Sequence, residues 1–150
     1  MNYASIDSSL CRINVGGCSI QGKQGSFQLK YKENAAIKKH LIKANPIFHS
    51  SVMYRKTIYE KVYGYDETLI GFEDWDFYIR ISPYCEIVNY PENFSYKRLH
   101  VEQFFDGEQN THRSKNAYRA RSKITLNAIE YLNASYINIF RALKFYLKSI

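Results

Sequence analysis

The sequence predicts a mixed α/β domain with a helical C-terminus, on three observations. Apolar Phe27, Leu29 and Tyr31 alternate with polar Gln28, Lys30 and Lys32, the period-two signature of a half-buried strand. Apolar residues at helical spacing, such as Ile37, Leu41 and Ile42, interrupt such runs. From Ala117 to Ile150 the helical pattern continues with a single break.

Residues 1–34 are weakly apolar, and Gly16, Gly17, Gly22 and Gly25 punctuate them as turns. Ala35 to Ala44 reads as a helix that Pro46 stops. In "NPIFHSSVMYRK" (Asn45–Lys56), Ile47, Phe48, Val52, Met53 and Tyr54 are strand material. Thr57–Val62 makes a short helix and Gly64 a turn. "GFEDWDFYIRI" (Gly71–Ile81) is a helix closed by Pro83. "CEIVNY" (Cys85–Tyr90) is a strand ended by Pro91, and "NFSYKRLH" (Asn93–His100) a second one. A polar stretch, Glu102–Asn116, leads to the C-terminal helices. There Asn133-Ala134-Ser135 is the break, with Ser135 as cap. These elements divide the chain into a main domain, residues 1–116, and a helical extension, residues 117–150.

A chain of 150 residues that is 45% hydrophobic suits one folded domain rather than a disordered chain. Fourteen tyrosines and nine phenylalanines make its interior aromatic, and each buried tyrosine needs a partner for its hydroxyl. The formal charge of +7 favours anionic partners. Cys11, Cys18 and Cys85 are an odd set without metal-knuckle spacing, so reduced thiols in a cytoplasmic setting are expected. No apolar run reaches the ~18 residues of a membrane span.

The chemistry concentrates in Glu73, Asp74 and Asp76, which crowd around the single tryptophan, Trp75. Acidic residues in a first helical turn are favoured by the helix dipole, which suffices for Glu73. Asp76 and Arg80 are spaced for an ordinary surface ion pair. Asp74 shares its helical face with Phe77, Tyr78 and Ile81. A carboxylate on an apolar wall is partly desolvated, which favours its neutral form and makes it a stronger base. Capping and general-base catalysis both fit that position.

"NPIFHSSVMYRKTIYEKVYGYDETLIGFEDWDFYIRI" and "IVNYPENFSYKRLH" together resemble the acceptor-side half of a family 2 glycosyltransferase. The shared pattern is a His-Ser-Ser segment, a Gly-Tyr-Asp-Glu turn, a Glu-Asp pair opening an Arg-bearing helix, and a strand ending near Tyr-Arg-x-His. Here Lys97 separates Tyr96 from Arg98. The resemblance implies a partial GT-A-like (nucleotide-diphospho-sugar transferase) fold, a mixed sheet with flanking helices. It also implies inverting transfer of a sugar from a nucleotide-sugar donor to an acceptor hydroxyl, as in cell-surface polysaccharide or glycan synthesis. Asp74 would be the catalytic base. Glu73, Trp75 and His49 would line the acceptor site, Arg98 would contact the donor diphosphate, and His100 would join a divalent metal, Mn or Mg. Core packing for Trp75 and a structural hydrogen bond for His49 are the competing readings.

Family members bind the donor with an N-terminal nucleotide-binding half that ends in an Asp-x-Asp metal motif. That half is absent from this sequence. Asp74-Trp75-Asp76 spells the motif but opens a helix instead of ending a strand. The expectation is a fragment or split product, weakly stable and inactive alone, whose metal and donor sites need a separate N-terminal half chain. A second reading is a non-catalytic basic module. Five basic residues and no acid lie between Arg113 and Lys123. Arg141, Lys144 and Lys148 share a helical face opposite Ile137, Phe140, Leu143 and Leu147. Such a face suits solvent, or peripheral contact with an anionic membrane, its inner face for a cytoplasmic enzyme with lipid-linked acceptors. No recognisable nucleic-acid module is present.

Overall fold

Ile13 and Val15 are fully buried and alternate with Arg12 and Asn14, and this short pattern builds the central strand, β1 (Cys11–Ile20). The computed structural model describes residues 11–20, 26–27, 31–97 and 115–150. Along the chain after β1 come β2 (Ser26–Phe27), α1 (Asn34–Leu41), a 3₁₀ turn at His49–Ser51, β3 (Val52–Met53) and α2 (Lys56–Lys61). They are followed by α3 (Glu73–Ile81), β4 (Cys85–Lys97), α4 (Lys115–Leu132) and α5 (Ile137–Leu147). This is the expected mixed sheet with flanking helices, compatible with a partial GT-A-like fold.

β4 runs parallel to β1 along one edge, and β2 and β3 pair antiparallel to it on the other. The turn expected at Gly16 and Gly17 is therefore the middle of the central strand. The Phe94 ring from β4 lies so close to Gly16 that an added Cβ would sit 2.3 Å from it. Glycine is used there for close approach, not for a turn.

Pro91 does not end its strand either. Val15 faces Asn89 and Gly17 faces Asn93, so β4 carries extra residues at that point. A bulge accommodates proline, which has no N–H to give to a ladder. The two expected strands are consequently one. In the segment after Pro46 the expected long strand is reduced to β3, because His49–Ser51 coil into the 3₁₀ turn. Ser51 is buried there, with its hydroxyl 2.7 Å from the carbonyl of Gly16, which fastens the turn to β1. Cys85 is disulfide-bonded, and it lies opposite Cys11 in the β1–β4 register. The expectation of three reduced thiols is corrected on this point.

The core gathers Ile13 and Val15 of β1, Ile87 of β4, Ile37 and Leu41 of α1, and Phe77, Tyr78, Ile79 and Ile81 of α3. α4 contributes Ala120, Ile124 and Ala128, and the two alanines let it pack close to its neighbours. Asn133 has φ 49°, and the Ala134 N–H reaches the carbonyl of Ala128 at 3.2 Å. A left-handed residue directly after Leu132 is a common way for a helix to end, so the break is made by Asn133. The Ser135 hydroxyl is not the cap expected of it: no side chain caps α5, and Ser135 receives the Asn138 N–H on its carbonyl.

Candidate active site

α3 starts at Glu73, so Glu73 and Asp74 stand in its first turn, with Asp74 lining a cleft. Asp74 is half-buried. Its Oδ2 accepts the side-chain amide of Asn45 at 3.0 Å, and its Oδ1 accepts the Trp75 backbone N–H at 2.6 Å. Burial pushes its carboxyl above the usual carboxylate range, against the pull of the Trp75 N–H and of nearby His49; Glu73 adds to the rise. Asn45 is in turn oriented by the Ile47 N–H, which donates to its Oδ1 at 3.0 Å. The carboxylate is thus held by two donors while its proton affinity is raised by its surroundings.

The cleft beside Asp74 has a volume of about 290 Å³ and is walled by Trp75, Phe72, Lys43, Arg121, Arg141 and Phe145, among others. Glu73 faces a second hollow of about 310 Å³, with Tyr59, Tyr65, Glu67 and Ile70. Gly71, at φ 78°, borders both. The two carboxylates of the Glu-Asp pair therefore diverge. Glu73 Oε2 is buried and has no hydrogen-bond partner among the described residues.

Trp75 is 8% exposed, packs in the core and donates its indole N–H to the Leu41 carbonyl at 2.7 Å, while also lining the Asp74 cleft. His49 lines neither hollow. Its Nδ1 is 2.7 Å from the Tyr78 hydroxyl and its Nε2 3.4 Å from that of Tyr65, which itself meets the Tyr54 hydroxyl at 2.6 Å. These phenols need partners because they are drawn into the aromatic core, and burial raises the pKa of both Tyr65 and Tyr78. Arg98 and His100 lie outside the described residues.

Asp76 is not in a surface pair. It is fully buried, with Oδ2 2.6 Å from Arg80 Nε and Oδ1 2.6 Å from the Asn127 amide. Arg80 also donates to the carbonyls of Val62 and Gly64, at 2.6 and 2.7 Å. One carboxylate thereby joins the turn after α2 to α3 and α4. With Asp74 at the cleft and Asp76 committed to this network, the Asp-Trp-Asp spelling does not converge on one point. Among the described residues no three metal-ligating side chains gather. A further tie, the ion pair of Asp66 with Lys123, fixes the Gly-Tyr-Asp-Glu turn to α4. Hydrogen bonds from Lys123 and Thr68 pull the Asp66 carboxyl down to about 2.

Asn45, Lys43, Arg121, Arg141 and Phe145 were not marked by the sequence as parts of this site. Arg141 was expected on a solvated basic face. Instead its Nη2 donates to the Lys43 carbonyl at 3.0 Å, and it borders the cleft. The apolar side of α5 is outward: Ile137 is 71%, Phe140 74% and Leu147 58% exposed.

Residues 25–139, more than half of the chain, match the family model described as "Glycosyltransferase like family 2". The chain belongs to this family, and its domain is one of glycosyl transfer. No curated protein and no solved structure was found to match it.

Proposed function

We propose that this chain carries the acceptor side of an inverting glycosyltransferase whose general base is Asp74. The acceptor hydroxyl oxygen attacks the anomeric carbon of a nucleotide sugar and gives its proton to Asp74. The bond from that carbon to the diphosphate breaks, and the electron pair leaves with the nucleoside diphosphate. The observation that carries this reading is a held, partly desolvated carboxylate opening into a cleft of about 290 Å³. A positioned base of this kind is worth ~10²–10⁴ in rate. Glu73 and Trp75 line the neighbouring surfaces. Cell-surface polysaccharide or glycan synthesis is the setting such a reaction suits.

Donor binding is the other half of the proposal. The residues described do not by themselves gather a ligand set for Mn or Mg. Arg98 and His100 stay proposed for the diphosphate and the metal, alongside a donor-binding half supplied by another chain. Calorimetry with a nucleoside diphosphate and manganese is expected to show no tight binding to these 150 residues alone. Adding a donor-binding half should restore binding and yield a product of inverted anomeric configuration. A retained configuration would overturn the mechanism. Micromolar, manganese-dependent binding by the chain alone would overturn the division of labour.

The exposed side of α5 favours one addition, peripheral docking on an anionic bilayer. Phe140, Leu143 and Leu147 are exposed on the same side as Tyr136, and Lys144 and Lys148 flank them. Apolar insertion and attraction of basic residues to anionic lipid are complementary demands that one such helix meets. Among the described residues no helix is long and apolar enough to cross a membrane. The chain should pellet with phosphatidylglycerol vesicles, and Phe140→Asp should abolish this. Failure of the parent chain to pellet, or self-association that hides α5, would sink the idea.

A further inference from the structure

We propose that the Asp74 cleft recognises an anionic group on the acceptor, a phosphate or a carboxylate, through Arg121 and Arg141. This rests on the reading that Asp74 faces the acceptor hydroxyl. Among the described residues lining the cleft, Lys43, Arg121 and Arg141 are cationic and Asp74 alone is acidic. A wall with that excess of positive charge suits an anion better than a neutral sugar.

The two guanidinium groups are held, not loose. Their central carbons lie 5.9 Å (Arg121) and 5.7 Å (Arg141) from the Phe145 ring centroid, so one ring supports both. Arg141 is further fixed by the carbonyls of Ile42 and Lys43, at 3.4 and 3.0 Å from its terminal nitrogens. Each terminal nitrogen carries a second hydrogen, so the fork keeps donors beyond those two bonds. Burial and the Arg121 charge both disfavour the charged form of Arg141. A planar fork matches phosphate or carboxylate oxygens, and an anion between the two groups meets both. Asp74 repels the same anion. The acceptor is therefore ordered with its charge at the α4–α5 side and its hydroxyl toward α3.

The single tryptophan lines this cleft and reports on it directly. The full chain would be titrated by tryptophan fluorescence with geranyl phosphate and with glucuronate, which stand for lipid-linked and acidic-sugar acceptors. Geraniol and glucose are the neutral controls. The expected result is a saturable change with at least one anion and none with its neutral counterpart, and the responding anion identifies the source. Arg121→Gln should weaken that binding by about tenfold, the usual scale for losing a charge-assisted hydrogen bond. Arg121→Lys should fall between, and Asp74→Asn should bind the anion at least as tightly as the parent. Arg121 is the chosen position because Arg141 also anchors α5. No response, equal response to the neutral compounds, undiminished binding in Arg121→Gln, or a response to uridine diphosphate alone would each overturn the proposal. If anions do not bind but Asp74→Asn still abolishes transfer, the specificity inference fails and the base assignment stands. If anions bind but Asp74→Asn transfers sugar at the parent rate, the base assignment fails, and the acceptor placement falls with it.

Discussion

Asp74→Asn is expected to lower sugar transfer by at least ~10²-fold in an enzyme completed with its donor-binding half, while leaving the fold intact. The substitution keeps the shape of the side chain and removes the basic oxygen pair. Its effect on stability follows from the direction of the pKa shift. Burial raises the carboxyl of Asp74 in the folded chain, so the native state prefers the protonated form. The stabilisation that this group contributes is fully present below its unfolded value, ~3.9, and is lost as pH rises through the higher folded value. At neutral pH an uncharged isostere avoids that cost. Against this, the asparagine amide cannot accept both the Asn45 amide and the Trp75 N–H as the carboxylate does. Losing one such bond costs about 1 kcal/mol, so the opposing effects largely offset each other. Thermal melts should show the variant close to the parent at neutral pH, with its relative stability falling as the solution is made acidic. A large loss of melting temperature at neutral pH would mean that Asp74 is chiefly structural.

Asp76→Ala should act in the opposite way, on folding before chemistry. The expected loss is about 3–5 kcal/mol, the scale for removing one partner of a buried ion pair. Arg80 would keep its bonds to the Val62 and Gly64 carbonyls but lose its counter-charge, and the Asn127 amide would lose its acceptor. The turn that Arg80 holds contains Tyr63 at φ 60°, a conformation that needs support from outside. Urea unfolding measures the effect, and a second variant separates its causes. Pairing Asp76→Ala with Arg80→Met removes the stranded charge and should recover a substantial part of the loss. If Asp76→Ala costs only tenths of a kcal/mol, the buried network is not what joins α3 to α4.

The elements that the sequence made legible are those decided by local chemistry. α3 announces itself by acidic residues at its start, apolar spacing through Phe77, Tyr78 and Ile81, and Pro83 beyond its end. α1 was legible from the helical spacing of Ile37 and Leu41 and from Pro46 beyond its end. β1 was obscured because Gly16 and Gly17 carry a turn signal, although Ile13 and Val15 already showed the strand alternation. Only the packing of Phe94 over Gly16 explains why glycine belongs there.

At the site, the apolar face beside Asp74 could be read from helical periodicity. The burial of Asp76 could not, because its partner Asn127 lies 51 residues away in sequence. An i, i+4 acid–base pair looks the same in sequence whether it faces water or the core. The cleft itself is a product of tertiary packing. Arg121 and Arg141 border the Asp74 cleft because α4 folds back on α3, held by the Asp76–Asn127 contact, and α5 on α4, held by the Ser122 hydroxyl on the Ala142 carbonyl. On α5 the sequence pointed to the basic face as the solvated one; attachment through Ala142 and Arg141 instead turns the apolar side outward.

The pH dependence of kcat/KM for sugar transfer tests the central claim, that Asp74 is the general base, most directly. The base must be ionised to accept a proton, so the rate should rise with pH along an acid limb. The charges around Asp74 act in both directions: Glu73 raises its pKa and His49 lowers it, while Lys43, Arg121 and Arg141 border the same cleft. Burial is the largest influence, and it predicts a limb displaced above the ordinary carboxylate value of ~4. That limb should disappear from the residual activity of Asp74→Asn. A limb at the ordinary value, or one that survives unchanged in Asp74→Asn, would contradict the assignment.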